Sequence, residues 1–550
     1  MKRFLLYYHT LKHLKLKQIL FQIKYRLVAP KIKPYSHKEV IRRKLQLSFP
    51  VRGKAGWDLE HNASFLNQTI YVNTEKSWKV EASDLWLYNL HYFDDLNVYE
   101  SAELEPFYSS LIENWILTVS QDSNSVALDP YPTSLRLVNW CKYIWRHNIN
   151  NENWNRSIYE QSNLLRRNLE YHLLANHLFA NGKALIFVGI FFGEKFGEKF
   201  LQLGLNIIEQ QVAEQFLPDG GHFERSPMYH NILLWDLLDL VFLAKKTQGI
   251  IPDPYVNLWK DTLVKALSWM DAMQHPDGDI AFFNDSTLGV APKSEDIKNY
   301  AKLLGLETSF KNNKPGGLYY LNNSGFISVV KPSFKLIADV GDASPRYQPG
   351  HSHAESLSFE LSVNDQRVFV NSGISQYGND SIRQLQRATI SHNTLVPEYC
   401  NSSQVWGGFR LAKASHLEHL TLKNNDSIID CAIRGFWNLK KNGITHSRLF
   451  TVNDNGVSIN DKISESGLES VVIFKLHPDI EVLTATNNSV SLSVDESTKV
   501  EMSIDGGEVT IENSAWYPAF GKEVPTKTVL INVLGNTLVT EISVDNDRNE

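Results

Sequence analysis

The spacing of apolar residues changes once along the chain, near residue 315, and this change constrains the fold more than any other feature. Before it the spacing is helical: Ile158, Leu165, Leu169 and Leu173 mark one face, and Trp259, Leu263, Ala266, Leu267 and Met270 mark another. Ala184–Phe192 and Ile232–Leu243 are apolar nearly all round, as helices enclosed by other helices must be. After it, short runs such as Gly325–Val330, Lys335–Val340, Ser356–Val363 and Arg448–Val452 alternate or are rich in β-branched residues, and Gly, Asn, Asp and Pro bound them. Turn pairs include Asn424-Asn425 and Asp505-Gly506. Many helices followed by many strands build separate layers. The chain is therefore expected to be a multidomain α+β protein, with a basic arm and linker over 1–79, a helical domain over 80–314 and a β-sandwich over 315–550. Two near-identical turns, Pro218-Asp219-Gly220 and Pro276-Asp277-Gly278, suggest stacked helical hairpins.

The net charge of -6 argues against a nucleic-acid partner. Residues 1–45 oppose that average, with thirteen Lys or Arg against a single acid, Glu39. Leu11, Leu14, Ile19 and Leu20 are interleaved with the cations, so an amphipathic helix is expected, either packed on the body or touching an anionic membrane surface. The first residues begin like a signal peptide, but His9, Lys12, His13, Lys15 and Lys17 interrupt the apolar run, which reads as uncleaved. No apolar run approaches the roughly 20 residues of a membrane span. Cys141, Cys400 and Cys431 lie far apart, which excludes a disulfide scaffold and a zinc ribbon. A cytoplasmic protein, peripheral at the inner membrane surface, is the expectation.

Four clusters put polar residues where a core would want apolar ones. Asn176-His177, with Asn181, opens an enclosed helix, as a cap or as a cleft wall. His222, Glu224, Arg225, Tyr229 and His230 crowd a glycine-led loop before another buried helix. His351 and His353 flank one residue in an extended segment and so point the same way; together they could ligate one ion, or one could ligate while the other acts as a base. Arg387 and His392 belong to the fourth cluster, and Asn371 lies between the last two. His353, Asn371 and His392 are acceptable zinc ligands, but a carboxylate would serve far better than the Asn amide.

Asn176-His177, the run Glu224-Arg225-Ser226 with Tyr229-His230, Gly350-His351-Ser352-His353-Ala354 and His392-Asn393-Thr394 together resemble the heparinase II/III family of polysaccharide lyases. The resemblance implies an incomplete (α/α) toroid followed by an antiparallel β-sandwich, with β-elimination at a uronic acid of an anionic polysaccharide or oligosaccharide. It implies that Asn176, aided by His177, neutralises the uronate carboxylate. Tyr229 would protonate the departing O4 and, for one C5 epimer, could also be the base. His351 would be the base or a second carboxylate partner. Arg136 would be a cationic contact to the acidic sugar, with His177, His222, Glu224, Arg225, His230 and Arg387 also lining the substrate.

Relatives that hold a structural zinc use positions resembling His353, Asn371 and His392; with Asn371 in place of the usual Asp, no cofactor is required and zinc should bind weakly. Asn371 is then expected to bridge the two histidines, with Glu355 or Asp342 the alternatives for an anion. Two other classes stay open: a sugar-binding or assembly protein of surface-polysaccharide synthesis on the same scaffold, and a glycoside hydrolase using two of Glu224, Asp285 and Glu355.

Overall fold

A computed structural model describes residues 2–27, 31–35, 40–75, 77–99, 101–119, 125–306, 317–343, 345–423 and 427–546. The boundary expected at 314/315 and the Asn424-Asn425 turn lie outside these residues.

The basic segment forms two helices, α1 (Lys2–Leu11) and α2 (Leu16–Leu27), and a small hairpin follows from β1 (Asn62–Phe65) and β2 (Gln68–Tyr71). The arm bridges both halves of the protein. Tyr7 of α1 packs edge-on against Trp406, and Thr10 Oγ1 donates to Leu411 O. Tyr25 of α2 stacks on His172, with ring centroids 4.5 Å apart, and its hydroxyl donates to Asp129 Oδ1. Leu16, Ile19, Leu20, Ile23 and Leu27 fall on one face of α2, and this face is turned outward: Leu16 is 71% exposed, Ile23 52% and Leu27 78%. In α1, Phe4, Leu5, Tyr8 and Leu11 are likewise exposed. An ordinary surface helix turns such a stripe inward.

The helical half contains α3 (Asp84–Tyr92), α4 (Ser101–Thr118), α5 (Pro130–His147), α6 (Glu152–Arg167), α7 (Ala175–Phe192), α8 (Glu194–Gln215), α9 (Pro227–Lys246), α10 (Asp253–Ala272) and α11 (Ser294–Leu304). They form an incomplete (α/α) toroid around one core of Trp, Phe and Leu side chains. Among the described helices α7 alone is long and apolar enough to cross a membrane, yet 94% of that stretch is buried, as befits a helix at the centre of the toroid.

An antiparallel β-domain follows, with a separate aliphatic core. Its first sheet runs β3 (Gly317–Leu321), β4 (Phe326–Val330), β5 (Phe334–Asp339), β6 (Phe359–Val363) and β7 (Gln366–Phe369) in sequence order. An eight-stranded sheet and a four-stranded sheet complete the sandwich.

The two Pro-Asp-Gly turns share one geometry. Gly220 and Gly278 both have φ of +91°, a conformation that favours glycine. Each turn also grips the β-domain. Asp219 Oδ2 accepts from the amides of Asn323 and Ser324, while the Asp277 carboxylate takes Arg367 in two hydrogen bonds. Beside the second turn, the buried His275 contacts Ser362 Oγ at 2.7 Å and Glu360 Oε2 at 2.8 Å. The repeated turns are thus joints that fix the toroid against the sandwich.

Candidate active site

Tyr229 stands in the first turn of α9. Ser226 caps this helix, accepting from the Tyr229 amide at 3.2 Å, and Pro227 supplies the first helical position. The Ser226 hydroxyl also donates to Asp285 O at 2.6 Å, so the cap ties α9 to the loop after α10. The Tyr229 ring lies 4.1 Å from the His351 ring, and its hydroxyl is 2.8 Å from that of Tyr377. Burial, with Tyr377 and Asp285 adding to it, pushes the Tyr229 phenol well above its ordinary value, so it holds its proton at neutral pH.

Asp285 organises the histidines. One oxygen meets His351 Nδ1 and the other His353 Nε2, each at 2.8 Å, and Arg383 clamps both oxygens. Burial would raise this carboxyl, but Arg383 and the two histidines hold it well below the usual range. An ionised carboxylate only accepts, so both ring nitrogens donate to it. His351 therefore turns the lone pair of its Nε2 away from Asp285, and His353 keeps a lone pair on Nδ1. His351 retains some solvent access.

At the entrance of α7, Asn176 Nδ2 donates to the Tyr131 hydroxyl at 3.4 Å, and its buried Oδ1 has no protein partner. His177 packs on the Tyr131 ring, its Nδ1 3.0 Å from Glu170 Oε1. Burial would lower this imidazole, but Glu170 dominates and raises it. Glu224, fully buried and raised chiefly by burial, feels both His177 and His351 and so links the α7 entrance electrically to the Tyr229 side. Leu174 and Ala175, Arg225 and Asn284 all have positive φ without being glycine. Such conformations cost about 1–3 kcal/mol each and persist where the surroundings impose them. They immediately precede or lie near Asn176, Tyr229 and Asp285.

Several sequence expectations need correction. Arg136 does not contact the cleft: it is fully buried, bonded to Gln161 Oε1, His91 O and Ala127 O, and it packs on Trp115. Expected as a cationic contact to the sugar, Arg136 instead satisfies the carbonyls of His91 and Ala127. Arg387 likewise donates to Ser352 O, Gly407 O and Arg410 O. His222 bonds Gln215, and His230 meets Ala266 O while stacking on Trp269; both are fully buried. Arg225 lines a small cavity with Asp339, Asp342 and Glu355, and Asp339 and Asp342 are the nearest acids acting on it.

Asn371 does not bridge the histidines. Its Nδ2, both His392 nitrogens and His353 Nδ1 lack a hydrogen-bond partner of good geometry. Glu355 takes the place that Asn371 was expected to fill. Ligand atoms of His353, His392 and Glu355 lie within 4.8 Å of one another, all buried, and Asn284 N donates to both Glu355 oxygens. Burial keeps His353 at about 4 and His392 well below its ordinary value, so both are the neutral form that ligates metal. Two imidazoles and a carboxylate, with Asp285 orienting one imidazole from behind, fit a zinc-like dication.

Sequence reasoning missed Tyr377, Arg383, Glu170 and Tyr131 as parts of the site, and treated Asp285 and Glu355 only as hydrolase candidates or stand-ins. None sits in a motif of its own, so the sequence offered no signal beyond the residue types.

An incomplete toroid joined to an antiparallel sandwich, with an Asn, a Tyr and a His–Asp pair near the joint, defines the class of architecture. Residues 151–311 match the model described as heparinase II/III N-terminus, and residues 313–545 match heparinase II/III-like, C-terminal. The chain belongs to the heparinase II/III family. It is 27% identical over 258 residues to a heparin-sulfate lyase of Bacteroides stercoris, covering 42% of this chain and 37% of that protein. It is 25% identical over 266 residues to one from Pedobacter heparinus, covering 44% and 38%. The matched regions thus span well under half the length of these curated relatives. In three dimensions it is similar to the crystal structure of heparinase III, with a TM-score of 0.67 and 17% identity, covering 86% of this chain and 79% of that one. A heparan sulfate lyase HepC mutant from Pedobacter heparinus gives 0.59 and 16%, covering 96% and 88%.

Proposed function

We propose that the protein is a polysaccharide lyase that cleaves a uronic-acid-containing anionic polysaccharide by β-elimination. The observation that carries this reading is the pairing of a protonated Tyr229 with a His351 whose Nδ1 is committed to Asp285. A uronate C5 proton leaves only once its carboxylate is neutralised. Asn176 presents a side-chain amide for that carboxylate, supported by His177, whose raised imidazole carries positive charge more readily. His351 Nε2 takes the C5 proton, the C4–C5 double bond forms as the C4–O4 bond breaks, and Tyr229 gives its proton to O4. Tyr377 then replenishes or shares the Tyr229 proton across their hydrogen bond.

A hydrolase reading is weaker, because Asp285 is saturated by Arg383 and two histidines, and Glu355 is held by Asn284 N and grouped with His353 and His392. Glu224 alone is left, and hydrolysis requires two opposed carboxylates. Incubation with a panel of uronate polymers tests the proposal: rising absorbance of the unsaturated product supports it. New reducing ends without that absorbance would indicate hydrolysis, and binding without either would indicate a sugar-binding role.

The metal reading follows the same residues. His353, His392 and Glu355 would hold a divalent ion, with zinc the best chemical match. Burial holds the Glu355 carboxyl well above its ordinary value, and an ion bound there would displace that proton and fix the segment that carries His351. Metal analysis of the protein purified without chelator tests this, and a content far below one ion per chain would refute it.

The outward apolar stripe of α2, flanked by the cations of the arm, supports a reading in which the protein contacts an anionic bilayer peripherally from the cytoplasmic side. Co-sedimentation with phosphatidylglycerol vesicles, lost on Leu20→Glu/Ile23→Glu, is the expected result. Equal recovery of that variant would rule out this contact.

A further inference from the structure

Where the arm lies on the β-domain, an open cavity of about 260 Å3 lies between them. His9, Lys12 and His13 line it from the arm, and Arg346, Lys413 and His416 line it from the β-domain. Trp437 forms an apolar wall, stacked on His416, and Lys413 Nζ sits 5.3 Å from the centre of its ring. Among the described residues, no carboxylate lines the cavity, and none of Lys12, Arg346 and Lys413 is in ion-pair range of an acid, whereas Lys15 of the arm pairs with Glu214.

The local field is correspondingly positive. Partial burial lowers His9 and His13 first, and then Lys12 lowers both, joined by Lys413 at His9 and by Arg346 at His13. Cations gathered around an aromatic face match a sugar ring that bears an oxyanion: the charge finds the ammonium and guanidinium groups, and the ring finds the indole. Two of its wall residues belong to segments that reach the candidate active site. Arg346 precedes His351 by five residues, and Leu411, another wall residue, follows Phe409 by two. The Phe409 ring packs 6.0 Å from that of His351.

We propose that this cavity is a distal subsite for an acidic sugar of the polymer, with its sulfate or carboxylate held by Lys12, Arg346 and Lys413 and its ring laid on Trp437. One of the three cations, Lys12, comes from the N-terminal arm, so the arm completes the subsite as well as bridging the two domains. The identity of the ligand as part of the cleaved polymer rests on the lyase reading; the binding itself does not.

The test compares the full chain with its Arg346→Ala/Lys413→Ala variant by calorimetry, using hexasaccharides and disaccharides of heparan sulfate, chondroitin sulfate and alginate. At least one hexasaccharide should bind the variant tenfold or more weakly, with the difference shrinking as salt rises, while disaccharides bind both proteins alike. Trp437→Ala should weaken the same hexasaccharide. If the double variant does not fold, Lys413→Gln alone supplies the comparison. Equal hexasaccharide binding by both proteins, no hexasaccharide binding at all, or cavity-dependent binding of dihexanoyl-phosphatidylglycerol in place of the sugars would overturn the proposal. Cavity-dependent binding without unsaturated product would leave the subsite standing and sink the lyase reading. Product formation with an unchanged KM for long chains in the double variant would do the reverse.

Discussion

The hydroxyl of Tyr229, from the first turn of a toroid helix, lies 2.8 Å from the hydroxyl of Tyr377, from the β-domain 148 residues later. One phenol comes from each half, so the proton that would reach O4 is held at the joint between the domains. Any loosening of that joint would separate them.

Tyr229→Phe should lower kcat by about two to four orders of magnitude, the usual worth of a positioned proton donor. Tyr377→Phe should cost less, because Tyr229 keeps its own proton. Steady-state kinetics on an active polymer, with thermal melting to confirm the fold, checks both. Near-normal turnover by Tyr229→Phe would reduce this residue to a packing role.

Asp285→Asn should damage stability and turnover together. Arg383 loses its buried counter-ion, a change that typically costs about 3–5 kcal/mol. His351 also loses the carboxylate that fixes its tautomer, so the folded fraction should turn over at least a hundredfold more slowly. Urea unfolding and kcat normalised to folded protein separate the two effects. Normal kcat in the folded fraction would make Asp285 purely structural.

Glu355→Gln should reduce metal content sharply, whereas Asn371→Asp should change it little, because Glu355 supplies the anion. Elemental analysis and the change in melting temperature with chelator provide the measurements. Unchanged metal content in Glu355→Gln would remove this residue from the ligand set.

In the sandwich, the buried Asp461 is held at about 2 by Arg448 and His446 despite burial, which acts the other way. A depressed carboxyl stabilises the fold above its unfolded value near 3.8, and that contribution fades as pH falls through its folded value. The stability gap between wild type and Asp461→Asn should therefore be flat above about pH 5 and narrow by about 2 kcal/mol toward pH 2. Urea titrations across that range measure it; a gap independent of pH would exclude the linkage.

Local sequence determined more of this protein than its length suggests. The change from helical to alternating spacing is a short-range property, set by how side chains repeat along a helix or strand, and it marked the helical and β halves. The Pro-Asp-Gly turns were readable for the same reason, because a glycine at positive φ is required within a few residues. His351 and His353 do point the same way, onto the two oxygens of Asp285. The partners of these residues were not legible. Asp285 lies 66 residues before His351, and Glu355, which the sequence offered only beside Asp342 as a stand-in anion, joins the two histidines where Asn371 was expected. Arg136, His222, His230 and Arg387 show the converse: polar residues that stood out in sequence proved to be tied to carbonyls and amides deep in the core. A motif specifies which side chains a short segment offers. Which of them meet a substrate, a metal or merely a neighbouring carbonyl depends on distant segments packing at the joint, and only the tertiary structure decided that.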